Sequence, residues 1–467
     1  MTTTSSSSSS AHTASADPTG QATGPAGQRA LEPYRSYRAA LLRFEDHHGQ
    51  PQAVLDDDGL LVVGHDGKVL AAGPYAGLHA TYPDAPTHHW PGRIIAPGFV
   101  DMHVHCPQID VIGSPADGLL PWLDNYTFPE EKRFNSPEYA AQAASFFIAE
   151  LLRNGVTTAL TFATSHVPSV NALFEAAQVS GQRIITGKCL QDRHCPAGVR
   201  DDTEQSLVDT EALIHRWHGK GPRGRLGYAI TPRFAPTCSD AQLRGAGQLA
   251  AKYPHVWIQS HVAENIDEMA WVRDLHPQAR SYLSVYDDFG LLRQRSVYAH
   301  CIHFDDADRA LMVQRGVAAA VCPTSNLFLG SGFFDFAAAA TCGMLHALAS
   351  DVGGGTSLSP FKTMLAAYYV ARSSAVTGGV AKQPVTLSPQ QLWWQHTAGA
   401  AHALGLQGVV GNLAAGCDAD FVVLNLQATP LLARRVARAS SLDELLFALI
   451  VLGDERVIER TCVMGMY

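Results

Sequence analysis

The chain predicts an α/β fold: a (β/α)8 (TIM) barrel with a small β-sandwich domain built from both chain ends. Three observations support it. Between Ile94 and Asp351, short apolar runs alternate with helix-patterned stretches, and eight such runs can be counted. Strand-like segments with tight turns flank that middle on both sides. Several runs end in histidine or aspartate at equivalent topological places, where a barrel of this type collects its functional groups. A doubly wound open sheet is the competing arrangement. It calls for a Gly-rich phosphate loop after the first strand, and His103-Val104-His105 stands there instead.

Composition narrows the function. The 467 residues are 46% hydrophobic and 16% charged, enough for a large core. Net charge is −9 with Lys and Arg scattered, which argues against nucleic acid or an acidic membrane surface as partner. No apolar run approaches membrane-spanning length. Nine cysteines without tight spacing suit reduced thiols in a cytoplasmic protein rather than a disulfide framework. Residues 1–30 are mostly Thr, Ser, Ala, Gly and Pro. They have nothing to bury and read as a disordered tail without a secretory apolar region.

Residues 31–92 read as the first part of the β-sandwich. Ala39–Phe44 leads to Leu60–Val63, Asp66-Gly67 signals a hairpin, and Val69–Ala72 follows. The barrel is expected over residues 93–404. Its strand units are Ile94–His105, Thr157–Phe162, Arg183–Cys189, Leu226–Thr231, Val256–His261, Ser296–His300, Val317–Cys322 and Leu345–Asp351. Helical patterns over Tyr139–Asn154, Val170–Ser180, Leu207–His218 and Asp240–Tyr253 alternate with them, and Gly155 reads as a helix stop. Residues 405–467 supply the second part of the sandwich: a turn and strand within Gly408–Leu424, then alternation over Arg456–Met464.

The chemistry lies at the strand ends. Side chains two apart in a strand share a face, so His103 and His105 aim at one point. Strand five ends at His261, strand six at His300 and strand eight at Asp351. Four imidazoles and a carboxylate at one end of a barrel form a metal-ligand set. Nitrogen and oxygen donors without thiolate suit Zn²⁺, with Fe²⁺ as competitor. Cys106 and Cys301 adjoin these positions, but alternation turns them into packing. Glu264, three residues after His261, is the candidate proton carrier, with Glu268 a possible decoy. The long stretch Pro107–Arg133 after the first strand is a candidate lid.

These residues resemble a known family. Pro97-Gly98-Phe99-Val100-Asp101-Met102-His103-Val104-His105, His261, His300 and Ser350-Asp351 look like the amidohydrolase superfamily, in its mononuclear-metal deaminase branch. Gly411–Leu424 is similar to that superfamily's β-domain signature. His105–Gln108, Leu120–Glu130, Gly187–Arg193 and Thr231–Ala235 resemble the guanine deaminase family in particular. The resemblance implies hydrolytic deamination of guanine to xanthine and ammonia by a metal-bound hydroxide. It implies one zinc per subunit held by His103, His105, His261 and Asp351, and a homodimer. Asp351 would accept the water's proton, His300 would orient the water, and Glu264 would protonate the ring. Gln108, Arg233 and Phe234, with His105 and His261, would contact a small purine substrate. Two departures are visible: Met102 where such enzymes often have Thr or Ala, and no lysine in Ala229-Ile230-Thr231, which favours one metal over two. Lys188 closes strand three instead. Deamination of another heterocycle (8-oxoguanine, cytosine, a triazine) and a non-catalytic scaffold are the alternatives. The His/Cys/Cys zinc deaminases need a Cys-x-x-Cys pair, and the chain has none.

Overall fold

A computed structural model describes residues 34–47, 50–83, 87–373, 376–377 and 380–466. The expected tail over residues 1–30 lies outside them. Two sheets organise the chain. One is parallel throughout, with strands Phe99–His105, Val156–Phe162, Arg183–Gly187, Gly227–Pro232, Trp257–Val262, Ser296–His300, Ala318–Val321 and His346–Leu348 side by side in chain order. Cys189–Leu190 pairs separately with the fourth of these. The ring is sewn shut by backbone bonds beyond the last strand: Asp351 N–H donates to His103 O at 2.9 Å, and His105 N–H donates to Val352 O at 2.7 Å. This is the (β/α)8 barrel that the sequence predicts.

Helices cover the outside. Pro137–Arg153, Val167–Ser180, Thr203–Trp217 and Asp240–Lys252 match the four helical patterns to within a few residues. Their starts are chemically marked: Ser136, Asp202 and Ser239 accept first-turn N–H groups. Inside the ring, apolar residues such as Val100, Met102, Ile185, Ala229, Val297, Ala318 and Ala347 fill the core.

The second sheet has six strands and draws on both ends of the chain. Its order is Ile458–Cys462, Phe421–Asn425, Thr87–Pro97, Tyr34–His47, Gln50–Gly64, Val69–Pro74. The Asp66-Gly67 turn joins the last two, with Gly67 at φ +74°. Side chains alternate cleanly: Leu41, Ile95, Phe421 and Val423 build a small separate core, while Leu42, Ile94, Val422 and Leu424 pack into the main one. A buried ionic group ties this sheet's loop to the barrel. Arg225 reaches Asp418 and Asp420 at 2.5 Å each, and Arg183 and Lys68 reach Asp418 at 2.8 and 2.6 Å.

Two expectations need correction. The run Ile94–His105 is not one strand. It divides at Gly98, where the first part pairs in the six-stranded sheet and the second opens the barrel. A Cβ on Gly98 would stand 2.2 Å from Thr157 Oγ1, so the chain can cross between layers there only with glycine. The candidate lid Pro107–Arg133 is more than a loop: helical turns at Cys106–Val111, Leu119–Trp122, Leu123–Thr127 and Phe128–Arg133 make most of it a cap.

Candidate active site and metal centre

The first strand aims its histidines by breaking its own alternation. Val100 and Met102 point into the barrel, yet Val104 joins the outer cluster that faces the helices. Strict alternation from Met102 would therefore have put His103 and His105 outside. Pairing with the neighbouring strand slips between Asp101 and Val104, and this irregularity turns both imidazoles inward. Asp101 holds the bend: it is buried, and it accepts N–H bonds from His103 at 3.2 Å and Ser350 at 3.0 Å.

The donors converge. His103 Nε2 lies 3.0 Å from His105 Nε2, which lies 3.2 Å from His261 Nε2. Asp351 Oδ1 is 3.1 Å from His103 Nε2 and 3.2 Å from His105 Nε2. One ligand atom from each of His103, His261, His300 and Asp351 falls within 4.8 Å of the others. The backbone is left-handed at His300 (φ +74°) and Asp351 (φ +50°), strain of the kind that clusters at functional sites.

This donor set fits a divalent cation. His261 Nδ1–H donates to Arg233 O at 2.6 Å, and His300 Nδ1–H donates to Asn326 Oδ1 at 2.9 Å. Each ring therefore turns an Nε2 lone pair toward the centre, as outer hydrogen bonds do in metal sites. Burial and the neighbouring imidazoles push His261 far below its ordinary pKa, and burial pushes His105 down to about 3. Imidazole nitrogens and a carboxylate oxygen packed this closely offer several donor atoms to a single cation. Burial opposes charge on Asp351, but His103, His105 and His300 hold its carboxyl well below the usual range.

Above the donors lies a cavity. Glu264 hangs at its edge. Its Oε2 stands 3.2 Å from His300 Nε2, and Ser331 Oγ donates to its Oε1 at 2.9 Å. Burial and the Asp351 charge raise its pKa to about 8. Glu268 is no idle neighbour. It caps the helix Ile266–Leu275 and accepts the Glu264 N–H at 3.0 Å, and it receives Tyr282 OH at 2.8 Å. Burial, then the Glu264 charge, lift it to about 7. Phe234 lines the cavity beside Leu119, Trp122 and Leu123 of the helical cap. Arg233 and Gln108, both buried, complete the wall.

The structure thus gathers all nine residues singled out from the sequence around one centre, with His103 beneath the cavity and the others lining it. Cys106 and Cys301 face the outer cluster. Lys188 is paired with Asp201, away from the donors. Sequence reasoning missed Glu131, Asn326 and Ser331, and gave Trp122 only as part of the Leu120–Glu130 stretch. Glu131 follows directly on the Leu120–Glu130 stretch, and Ser331 is bracketed by Gly330 and Gly332, which are the only local signals either gives.

Comparisons with known proteins agree with this geometry. Residues 94–466 match the Amidohydrolase family. Guanine deaminase of Escherichia coli (strain K12) is 41% identical over 410 residues, 88% of this chain and 90% of that protein. The solved E. coli guanine deaminase superposes with a TM-score of 0.88 at 39% identity, covering 92% of this chain and 98% of that one. Guanine deaminase from C. acetobutylicum, solved with guanine bound in its active site, gives 0.83 at 32% identity, covering 93% and 99%. The three relatives just named are guanine deaminases, and the chain belongs to the amidohydrolase family.

Proposed function

We propose that the chain hydrolyses guanine to xanthine and ammonia. The reading is carried by one observation: a buried carboxyl, Glu264, shares a cavity with a metal-type donor cluster and the buried guanidinium of Arg233. His103, His105, His261 and Asp351 would hold the ion. When bound, it makes a water molecule acidic enough to attack at neutral pH.

The chain's own groups do the rest. Asp351 takes the proton that the attacking water gives up. His300 holds that water through Nε2 and steadies the charge growing on it. Glu264 delivers a proton to the ring nitrogen beside the carbon that bears the amino group, which makes that carbon more electrophilic. Asp351 hands its proton on to the amino group, which leaves as ammonia, while the new hydroxyl gives its proton back to Glu264 as the ring carbonyl forms. Arg233, which only donates, faces the purine carbonyl, Gln108 reads the base edge, and Phe234 offers its ring.

Zinc, one ion per subunit, is the proposed metal with iron as competitor, because the donors are imidazole and carboxylate. A cytoplasmic location rests on nine free cysteines, and a homodimer on the resemblance. Among the described residues no helix is long and apolar enough to cross a membrane. The test is ammonia release from guanine, 8-oxoguanine, cytosine and a triazine, alongside metal analysis. Turnover of guanine above the others with stoichiometric metal supports the reading. No release from guanine overturns it.

A further inference from the structure

Glu131 has no assigned part in this site, yet it is placed to govern it. Its side chain is fully buried, and both oxygens reach Arg233 Nη1, at 2.9 and 2.7 Å. Its Oε1 also lies 3.3 Å from the carboxamide nitrogen of Gln108. Gln108 is gripped on its other side, where its Oε1 accepts the Gly353 N–H at 3.2 Å. The Arg233 guanidinium lies 5.1 Å from the Phe128 ring centroid, and Phe128 belongs to the same short helix as Glu131. One carboxylate therefore holds the two polar side chains that meet the purine. It comes from the helical cap, whereas Arg233 follows strand four and Gln108 follows strand one.

We propose that Glu131 is the positioning residue of the substrate pocket, and that it sets discrimination between a carbonyl and an amino group at the purine edge facing Arg233. This deepens the activity proposed above and rests on it. A guanidinium offers donors only, so a carbonyl oxygen satisfies it and an amino group does not. That preference is sharp only while the guanidinium cannot swing aside. Two bonds to one nitrogen fix it, and a buried arginine deprived of its carboxylate moves to find water or another acceptor. Gln108 loses an anchor at the same time.

The experiment compares guanine with 2,6-diaminopurine, which keeps the reacting amino group and carries an amino group in place of the carbonyl. Metal-loaded wild type, E131Q, R233M and R233M/E131Q are assayed for kcat and KM on both. E131Q should lower the wild-type preference for guanine by about tenfold or more, chiefly through KM, as when a site's buried polar groups lose their match. The double variant should discriminate no worse than R233M, since Glu131 acts through Arg233. A purely structural role would lower activity on both substrates alike and leave the ratio in place, and that result overturns the proposal. So does a double variant whose discrimination falls further than that of R233M. If E131Q is too unstable to purify, the double variant, which removes both buried charges, carries the comparison with R233M. Wild-type protein without guanine turnover overturns the activity and this role together. Wild-type turnover with an unchanged ratio in E131Q overturns this role alone.

Discussion

Oε2 of Glu264 lies 3.2 Å from Nε2 of His300, while Ser331 anchors the opposite oxygen of the same carboxyl. The acid is thus held between the donor cluster and the cavity, and only one of its oxygens faces the reaction. Glu264→Gln keeps the shape and removes the transferable proton. Turnover should fall at least about a hundredfold, the usual scale for a general acid–base group. Metal content and binding of a purine product should stay near wild type, measured by elemental analysis and calorimetry. Near-normal turnover would show that another residue moves the proton.

Chelation should abolish activity, and added zinc should restore it. His103→Ala removes a donor from the converged set, and Asp351→Asn removes its negative charge. Both should bind metal at least about tenfold more weakly, in the range seen when metal-site partners are lost. Full occupancy in both variants, by elemental analysis at equal free metal, would rule these two out as ligands.

The buried ionic group between barrel and small sheet predicts acid sensitivity. Burial opposes the Asp418 charge, but Arg225, Lys68 and Arg183 outweigh it and hold the carboxyl below its ordinary pKa. A depressed folded-state pKa stabilises the fold above the unfolded value. That stabilisation is lost as pH falls through the carboxyl range toward the folded value. Asp418→Asn should cost about 3–5 kcal/mol at pH 7, as for breaking a buried ion pair. The gap to wild type should narrow on acidification. Urea unfolding at neutral and acid pH reads both, and a gap that widens toward acid would contradict the assignment.

Gly98→Ala should destabilise the fold by about 1–3 kcal/mol, the range for forced overpacking. The new methyl would meet Thr157 Oγ1 at 2.2 Å where the chain crosses between sheets. Thermal unfolding checks it, and the pair G98A with Thr157→Ala should recover part of the loss. An unchanged melting temperature would show that the crossing has slack.

Much of this was readable without coordinates because barrels are periodic. Every strand that carries a metal-type donor announced itself as an apolar run ending in histidine or aspartate. What the sequence hid was local geometry. Alternation correctly paired His103 with His105, but nothing in Asp101-Met102-His103 signals the slip that turns them inward. The division at Gly98 was hidden because Ile94–Val100 is apolar on both sides of it, and buried strands of either sheet look alike. Glu131 was hidden for a different reason: its partner Arg233 lies about a hundred residues away in the chain (|i−j| = 102), and only the folded ring brings them together.

The last rung of the ring is made by two of the residues proposed to hold the ion. His103 and Asp351 each lend a main-chain group to the seam and a side chain to the centre. Loading the ion should therefore act as a latch on the hoop. Deuterium uptake at the Asp351 and His105 amides should slow when metal is present, while the amides of Ile185 and Tyr228, on the far arc of the ring, exchange at the same rate with or without it.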